Sequence, residues 1–223
     1  MARPHHPDLF GPDAPAPPLP NGFGLWRGAL DRLDQLALLD DIREILTLAP
    51  AYRPTMRNGT AMVNHLTNCG PLGWTSDRQG YRYVDRHPLT DRPWPAIPRR
   101  LLAVADTFTR ALGVVGYEPD ACLVNLYAAD GRLSLHQDYD EVDFKWPIVS
   151  VSLGASCRFV LGGLSRKDPT MRFDLHSGDV VCLHGESRKR FHGVAKVDAG
   201  TNALSHPALD PWVRINLTLR RAR

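Results

Sequence analysis

The sequence predicts a mainly β protein with flanking helices, built as a sandwich or jelly roll, and three observations carry that reading. From Tyr117 onward, apolar residues recur with period two, as strands with two unlike faces require. The runs are short and regularly spaced, and turn pairs such as Gly162-Gly163 and Ser177-Gly178 separate them. Upstream of them, only two stretches repeat at helical spacing.

Residues 1–20 carry Pro4, Pro7, Pro12, Pro15, Pro17, Pro18 and Pro20. That density denies both helix and ladder hydrogen bonds, so a flexible or polyproline leader is expected. Leu30, Leu33, Ala37, Ile42 and Ile45 then mark an amphipathic helix from Leu30 to Leu46, stopped by Pro50 and packed on the outside of a sheet. Residues 51–97 hold Trp74, Tyr81, Tyr83 and Trp94 among glycines, prolines and arginines, so short strands are expected, with Asn68 to Trp74 as a loop. These aromatics, interleaved with Arg78, Arg82 and Arg86, could stack bases and steer phosphates, or could be the core of a small β-subdomain. Pro98 opens a second helix with Leu101, Leu102, Ala105, Phe108 and Leu112 on its buried stripe, ended by Gly113 and Gly116.

Strands are expected over 122–127, 147–154, 158–161, 171–175, 180–183, 192–197 and 213–220. In the first, Leu123, Asn125 and Tyr127 share one face and Cys122, Val124 and Leu126 the other. The last alternates strictly, with Val213, Ile215, Leu217 and Leu219 on one side and Arg214, Asn216, Thr218 and Arg220 on the other. Either its polar side meets water, or it lines a site while the apolar side packs on helices. Arg214 and Arg220 stand about 20 Å apart along an extended strand. Their planar forks could lean together to hold the two ends of a small dicarboxylate.

Between these strands lies His136-Gln137-Asp138-Tyr139-Asp140-Glu141. His136 and Asp138 are two apart, so on an extended segment both point the same way and could grip one metal ion. His192 is the best candidate for a third ligand. Two histidines and one carboxylate with open positions suit a non-haem Fe(II) that must also take a cosubstrate and O₂. A His-x-Asp pair alone occurs by chance in many chains.

Composition sets bounds. The 223 residues are 43% hydrophobic, enough for a real core, and the net charge of +3 permits an anionic partner without demanding one. No apolar run is long enough for a transmembrane helix, and Met1 to Pro7 lacks the apolar core of a signal peptide, so none is expected. Cys69, Cys122, Cys157 and Cys182 form no paired motif and read as thiols of a reducing cytosol, which points to a cytoplasmic protein.

Several blocks then fall in a recognisable order: Leu66 to Trp74 with Arg78-Gln79-Gly80-Tyr81, Pro93 to Pro98, Pro119 to Tyr127 and Leu133 to Asp138. They are followed by Pro147 to Gly154, Gly162-Gly163-Leu164, Gly178 to Val181, Gly185 to Arg188 and Arg214 to Arg220. From about residue 60 onward the chain resembles the bacterial AlkB family, the Fe(II)- and 2-oxoglutarate-dependent dioxygenases that repair alkylated bases. The resemblance implies a double-stranded β-helix, a jelly roll, topped by a nucleotide-recognition lid. With the proline-rich leader (1–20), which matches nothing in the family, the chain is expected to divide further into an N-terminal helix and lid (21–97) and the dioxygenase core with its flanking helix (98–223).

The resemblance further implies that His136, Asp138 and His192 are the iron ligands and that Asn125, Tyr127 and Arg214 hold the distal carboxylate of 2-oxoglutarate. Asn216 and Arg220 would support the end that chelates iron. Trp74 would stack on the damaged base, Tyr81 contact its phosphate, Asp140 lie beside the base, and Arg166 belong to the substrate rim. The implied reaction couples decarboxylation of 2-oxoglutarate to succinate with hydroxylation of an N-methyl group, which leaves as formaldehyde. N1-methyladenine and N3-methylcytosine in single-stranded or flipped-base DNA are the expected substrates, with RNA as the alternative, and the chain is expected to act as a monomer. Cys182-Leu183-His184-Gly185 departs from the family's Val-Trp-Gly-Gly and leaves His184 as a spare imidazole. The segment Thr201 to Pro211 is longer than usual and is expected to alter the substrate rim. Two rivals stand beside this reading. One is an oxygenase of the same fold acting on a protein or small molecule, and the other is a jelly-roll nucleic-acid binder with a structural metal.

Overall fold

The computed structural model describes residues 18–223, so the leader expectation for 1–20 lies almost wholly outside the described residues. In chain order the elements are β1 (Phe23–Trp26), α1 (Arg32–Leu48), β2 (His65–Cys69), β3 (Gly73–Asp77), β4 (Gly80–Val84) and α2 (Arg99–Ala111). They continue with β5 (Ala121–Tyr127), β6 (Leu133–His136), β7 (Ile148–Gly154), β8 (Ser156–Leu161) and β9 (Met171–Leu175). β10 (Val180–Leu183), β11 (His192–Asp198) and β12 (Arg214–Arg220) complete them. β1-β10-β7-β12-β5-β2 form a six-stranded antiparallel sheet, and β6-β11-β8-β9 a four-stranded one. The hairpin β3–β4 stands apart. No helix among the described residues is long and apolar enough to cross a membrane.

Strand alternation decides what the sheets bury. On β12, Ile215, Leu217 and Leu219 join Leu38, Leu39 and Ile42 of α1 and Leu101 and Ala105 of α2 in one core. Cys122, Val124 and Leu126 of β5 enter the same core, so the large sheet is covered on its outer face by both helices. Its inner face meets the smaller sheet through a second cluster that includes Tyr127, Ile148, Phe159, Leu161, Val181 and Val194. Arg214, Asn216, Thr218 and Arg220 therefore do not face water. They line a cavity between the sheets, as do Leu123, Asn125 and Tyr127. All four cysteines are free and buried.

The helices shift from the expected faces. Asp31 caps α1 by accepting from the Asp34 amide at 2.9 Å, which starts the helix at Arg32 and turns Leu33 outward to 76% exposure. The buried stripe is instead Leu38, Leu39, Ile42 and Ile45, with Gln35 satisfied by the Leu30 carbonyl. On α2, Leu102 is exposed and Thr109 takes the buried place, its hydroxyl donating to the Ala105 carbonyl at 2.9 Å.

The N-terminal third is woven into the core more than its composition suggested. β1 was not anticipated, because four residues carry too little period; it pairs with β10 at Phe23↔Leu183. β2 runs along the edge of the large sheet, paired with β5. The expected loop from Asn68 to Trp74 shrinks to Gly70–Leu72, with Asn68 and Cys69 in β2 and Gly73 and Trp74 in β3. Gly70 is needed there: its φ is +119°, and a Cβ would stand 2.7 Å from the Asp120 carbonyl oxygen. The Asn68 amide closes the turn by bonding both the carbonyl and the amide of Trp74 at 3.0 Å, which fixes where the indole begins. None of residues 201–211 lines the cavity between the sheets. Leu204, Ala208 and Leu209 are buried in the helix-side core, and His206 Nε2 lies 3.1 Å from Asp40 on α1.

Candidate active site

The smaller sheet brings the metal candidates together. His136 ends β6 and His192 begins β11, and the two are directly paired across the ladder, with ring centroids 4.5 Å apart. Asp138 follows as the chain leaves β6. One ligand atom from each of the three lies within 4.8 Å of the others. His136 Nδ1 is 2.9 Å from the Ser134 carbonyl and His192 Nδ1 is 3.0 Å from the Arg190 carbonyl. Each Nδ1–H donates to its carbonyl, which leaves Nε2 with the free lone pair. Those Nε2 atoms face Asp138, at 3.7 Å from Oδ1 and 3.3 Å from Oδ2.

The electrostatics suit a cation. Burial, then the neighbouring His192, push the His136 imidazole down to about 4, so it is neutral near pH 7. Burial opposes ionisation of Asp138, but the Arg220 guanidinium together with His192 and His136 more than offsets it, and the carboxyl lies well below the usual range. Asp138 Oδ2 is buried with no hydrogen-bond partner. Two Nε2 lone pairs and an orphaned carboxylate oxygen aimed at one point fit Fe(II), and they leave positions open for further ligands.

Behind Asp138 lies a buried ionic network that the sequence did not suggest. Arg220 Nη1 reaches Asp138 Oδ1 at 2.8 Å and Glu141 Oε1 at 2.9 Å. Glu141 also accepts from Arg188 Nη2 at 3.1 Å and from the Tyr83 hydroxyl of β4 at 2.7 Å. Arg188 further donates to the carbonyls of Asp138 and Trp146. Glu141 is 4% and Arg188 2% exposed, so Glu141 is not one of the solvated acids of an acidic loop. Its position among Asp138, Asp140 and Asp143 hid this, since an acid run carries no period that separates a buried member from an exposed one.

Arg214 sits deeper, 1% exposed, with Nη1 donating to the Ala155 carbonyl and Nη2 to Ser152 Oγ. Cross-strand register sets Arg214 beside Tyr127 and Asn216 beside Asn125, so these four share the inner face of β5 and β12. Asn216 donates to Ser150 Oγ at 2.8 Å. The Nε atoms of Arg214 and Arg220 are buried without partners. Asn125, Tyr127, Ser150, Arg214, Asn216 and Arg220 line one cavity of about 450 Å³ with the His-Asp-His cluster.

Trp74, Tyr81 and Asp140 also line that cavity. Trp74 and Tyr81 stack, with centroids 5.5 Å apart and planes 24° apart, and Trp74 Nε1 donates to Asp140 Oδ2 at 2.7 Å. Leu183 lines the cavity and His184 does not. Arg166 is not brought in either: its guanidinium lies over the Phe191 ring at 4.9 Å. Met56, Met62 and Arg132 line the cavity and were not singled out, because isolated methionines and a loop arginine carry no spacing signal.

Residues 25–220 match the 2OG-Fe(II) oxygenase superfamily. The alpha-ketoglutarate-dependent dioxygenase AlkB of Salmonella typhimurium is 45% identical over 216 residues, covering 96% of this chain and 97% of its own. The chain belongs to the AlkB family. It is an Fe(II)- and 2-oxoglutarate-dependent dioxygenase with a jelly-roll core, as the resemblance implied. The solved structure of OsALKBH1 superposes with a TM-score of 0.74 at 30% identity, covering 92% of this chain and all of that one. An Arabidopsis thaliana relative named DNA N(6)-methyladenine demethylase ALKBH1C is 32% identical over 223 residues, 90% of this chain and 48% of its own.

Proposed function

We propose that this dioxygenase oxidatively demethylates N-alkylated bases in nucleic acid, with N1-methyladenine and N3-methylcytosine in single-stranded or flipped-base DNA as its substrates. It acts as a monomer in the cytoplasm, and RNA is the alternative polymer. One observation carries the reading: an aromatic pair, Trp74 on Tyr81, is anchored to the Asp140 carboxylate on the same cavity that holds His136, Asp138 and His192. A planar cationic base fits there, stacked on an indole and near a carboxylate, with its methyl group directed inward.

The chain's residues divide the work. His136, Asp138 and His192 would hold Fe(II), which with 2-oxoglutarate and O₂ supplies the oxidation of the N-methyl carbon. Arg214, with Asn125 and Tyr127, would take the distal carboxylate of 2-oxoglutarate in a dry pocket where its bidentate fork is strongest. Arg220 and Asn216 would steady the other end, Arg220 by holding Asp138 in place. Tyr81, 50% exposed, would meet the backbone phosphate. Arg166, on its perch over Phe191, would touch only a strand that extends past the mouth.

Formaldehyde release tests the reading. With Fe(II) and 2-oxoglutarate, a single-stranded oligonucleotide carrying N3-methylcytosine should yield formaldehyde and cytosine, and a methylated RNA of the same sequence decides the polymer. Formaldehyde from a methylated peptide and none from either nucleic acid would establish the protein-directed rival.

A further inference from the structure

A second hollow adjoins the mouth of the main cavity, with a volume of about 400 Å³. Arg53, Val63, His65, Leu126, Ala128, Asp130, Arg132 and Trp212 line it, and Val63 and Arg132 also line the main cavity. The two hollows therefore share a wall.

The lining has the chemistry of a nucleotide seat. His65, on edge strand β2, packs on Trp212 with ring centroids 4.7 Å apart, which makes an aromatic platform. Trp212 stands just before β12 and is only half-buried, so part of its indole is open to a ligand. Two guanidiniums flank it against a single carboxylate, Asp130. Arg53 is fixed by two bonds from Nε and Nη2 to the Met62 carbonyl, and that leaves Nη1 for an outside acceptor. The Arg132 backbone is tied to this side of the molecule by Asn64 Nδ2, which donates to its carbonyl at 2.9 Å. An aromatic face beside guanidiniums, one of them held in place by its own hydrogen bonds, is how proteins hold successive nucleotides of a single strand without reading their sequence.

We propose that this hollow seats a nucleotide flanking the damaged one, with its base on Trp212 and His65 and its phosphate between Arg53 and Arg132. The inference rests on the nucleic-acid reading of the main cavity and adds the course of the strand. The shared wall at Val63 and Arg132 is the path by which the chain of phosphates passes from one seat to the next. A lone methylated nucleotide fills only the main cavity, whereas an oligonucleotide fills both.

The test compares two substrates, N3-methylcytidine 5′-monophosphate and a single-stranded DNA oligonucleotide with N3-methylcytosine at its centre. In the wild-type chain the KM for the oligonucleotide should be the lower of the two. Trp212→Ala should raise the oligonucleotide KM about tenfold, the usual effect of losing one stacked base. It should leave the KM for the mononucleotide and for 2-oxoglutarate unchanged, while Trp212→Phe restores most of the difference. Arg53→Gln should make the oligonucleotide KM less steeply dependent on salt, by about one released counterion in the log–log slope. If Trp212→Ala keeps the wild-type preference for the oligonucleotide, the flanking seat is overturned and the main-cavity reading survives. Equal rises on both substrates would likewise overturn it, since they would mean that Trp212 only supports β12. A wild-type chain that oxidises neither substrate would overturn the nucleic-acid reading and the flanking seat with it.

Discussion

Glu141→Gln tests whether the ionic network behind Asp138 holds the site together. The substitution keeps the shape of the side chain and removes its charge. In the structure that charge meets Arg220 at 2.9 Å and Arg188 at 3.1 Å in a nearly dry setting, with Tyr83 as a third donor. Burial keeps the Tyr83 phenol well above its ordinary value, so it stays a donor. Removing one partner of a buried pair typically costs about 3–5 kcal/mol, because the other charge is left uncompensated. Arg220 keeps Asp138 and Arg188 keeps two carbonyls, so the low end, about 3 kcal/mol, is expected. For a domain of this size that lowers Tm by roughly 6–12 °C. Tyr83→Phe removes one neutral donor and should cost only about 1 kcal/mol. The assay is thermal unfolding followed by circular dichroism, paired with the KM for 2-oxoglutarate. That KM should rise in Glu141→Gln, since Arg220 is freed to swing toward Asp138 alone. A Glu141→Gln protein that melts within about a degree of wild type would refute the argument.

Three further outcomes follow from the same geometry. Arg214→Ala should raise the KM for 2-oxoglutarate steeply, by the equivalent of about 2–5 kcal/mol, because a buried carboxylate loses its partner; an unchanged value would mean that Arg214 serves only Ala155 and Ser152. Trp74→Ala should weaken binding of an alkylated oligonucleotide in a titration without altering the salt slope, since stacking is not ionic; wild-type affinity would make Trp74 a core residue. Asp140→Ala should cost some efficiency on every lesion, because Trp74 loses its anchor, but far more on cationic N3-methylcytosine than on a neutral adduct. Equal losses on both would leave Asp140 as an anchor alone.

How much of this was legible depended on period. β5 and β12 carry alternation over seven residues each, and the sequence could name both their faces. It could not say which face met water until the helices α1 and α2 were seen covering Ile215, Leu217 and Leu219. The His136–Asp138 spacing was legible because two ligands sit within three residues, whereas His192 arrives from across the ladder by pairing with His136. Leu33 misled because a cap at Asp31 sets the phase of α1, and a helix stripe read from leucines alone ignores where the helix starts. β1 and β2 take their places from partners more than fifty residues away, Leu183 and Leu126 among them, and no local pattern reports that. Glu141 and Arg188 were missed for a related reason. Buried ion pairs are made by tertiary contact, and nothing in the sequence around a charged residue marks it as buried. The length of the 201–211 segment said nothing of its packing, in which Leu204 and Leu209 are buried in the helix-side core.

The central claim is that His136, Asp138 and His192 form one iron site that demethylates a base at the expense of 2-oxoglutarate. The direct measurement is formaldehyde released against 2-oxoglutarate consumed, with Fe(II) and an N3-methylcytosine oligonucleotide, in the wild type and in Asp138→Ala. The account predicts equal amounts of the two in the wild type, and neither above background in a folded Asp138→Ala protein that also binds Fe(II) more weakly. Formaldehyde release by Asp138→Ala at the wild-type rate would contradict it.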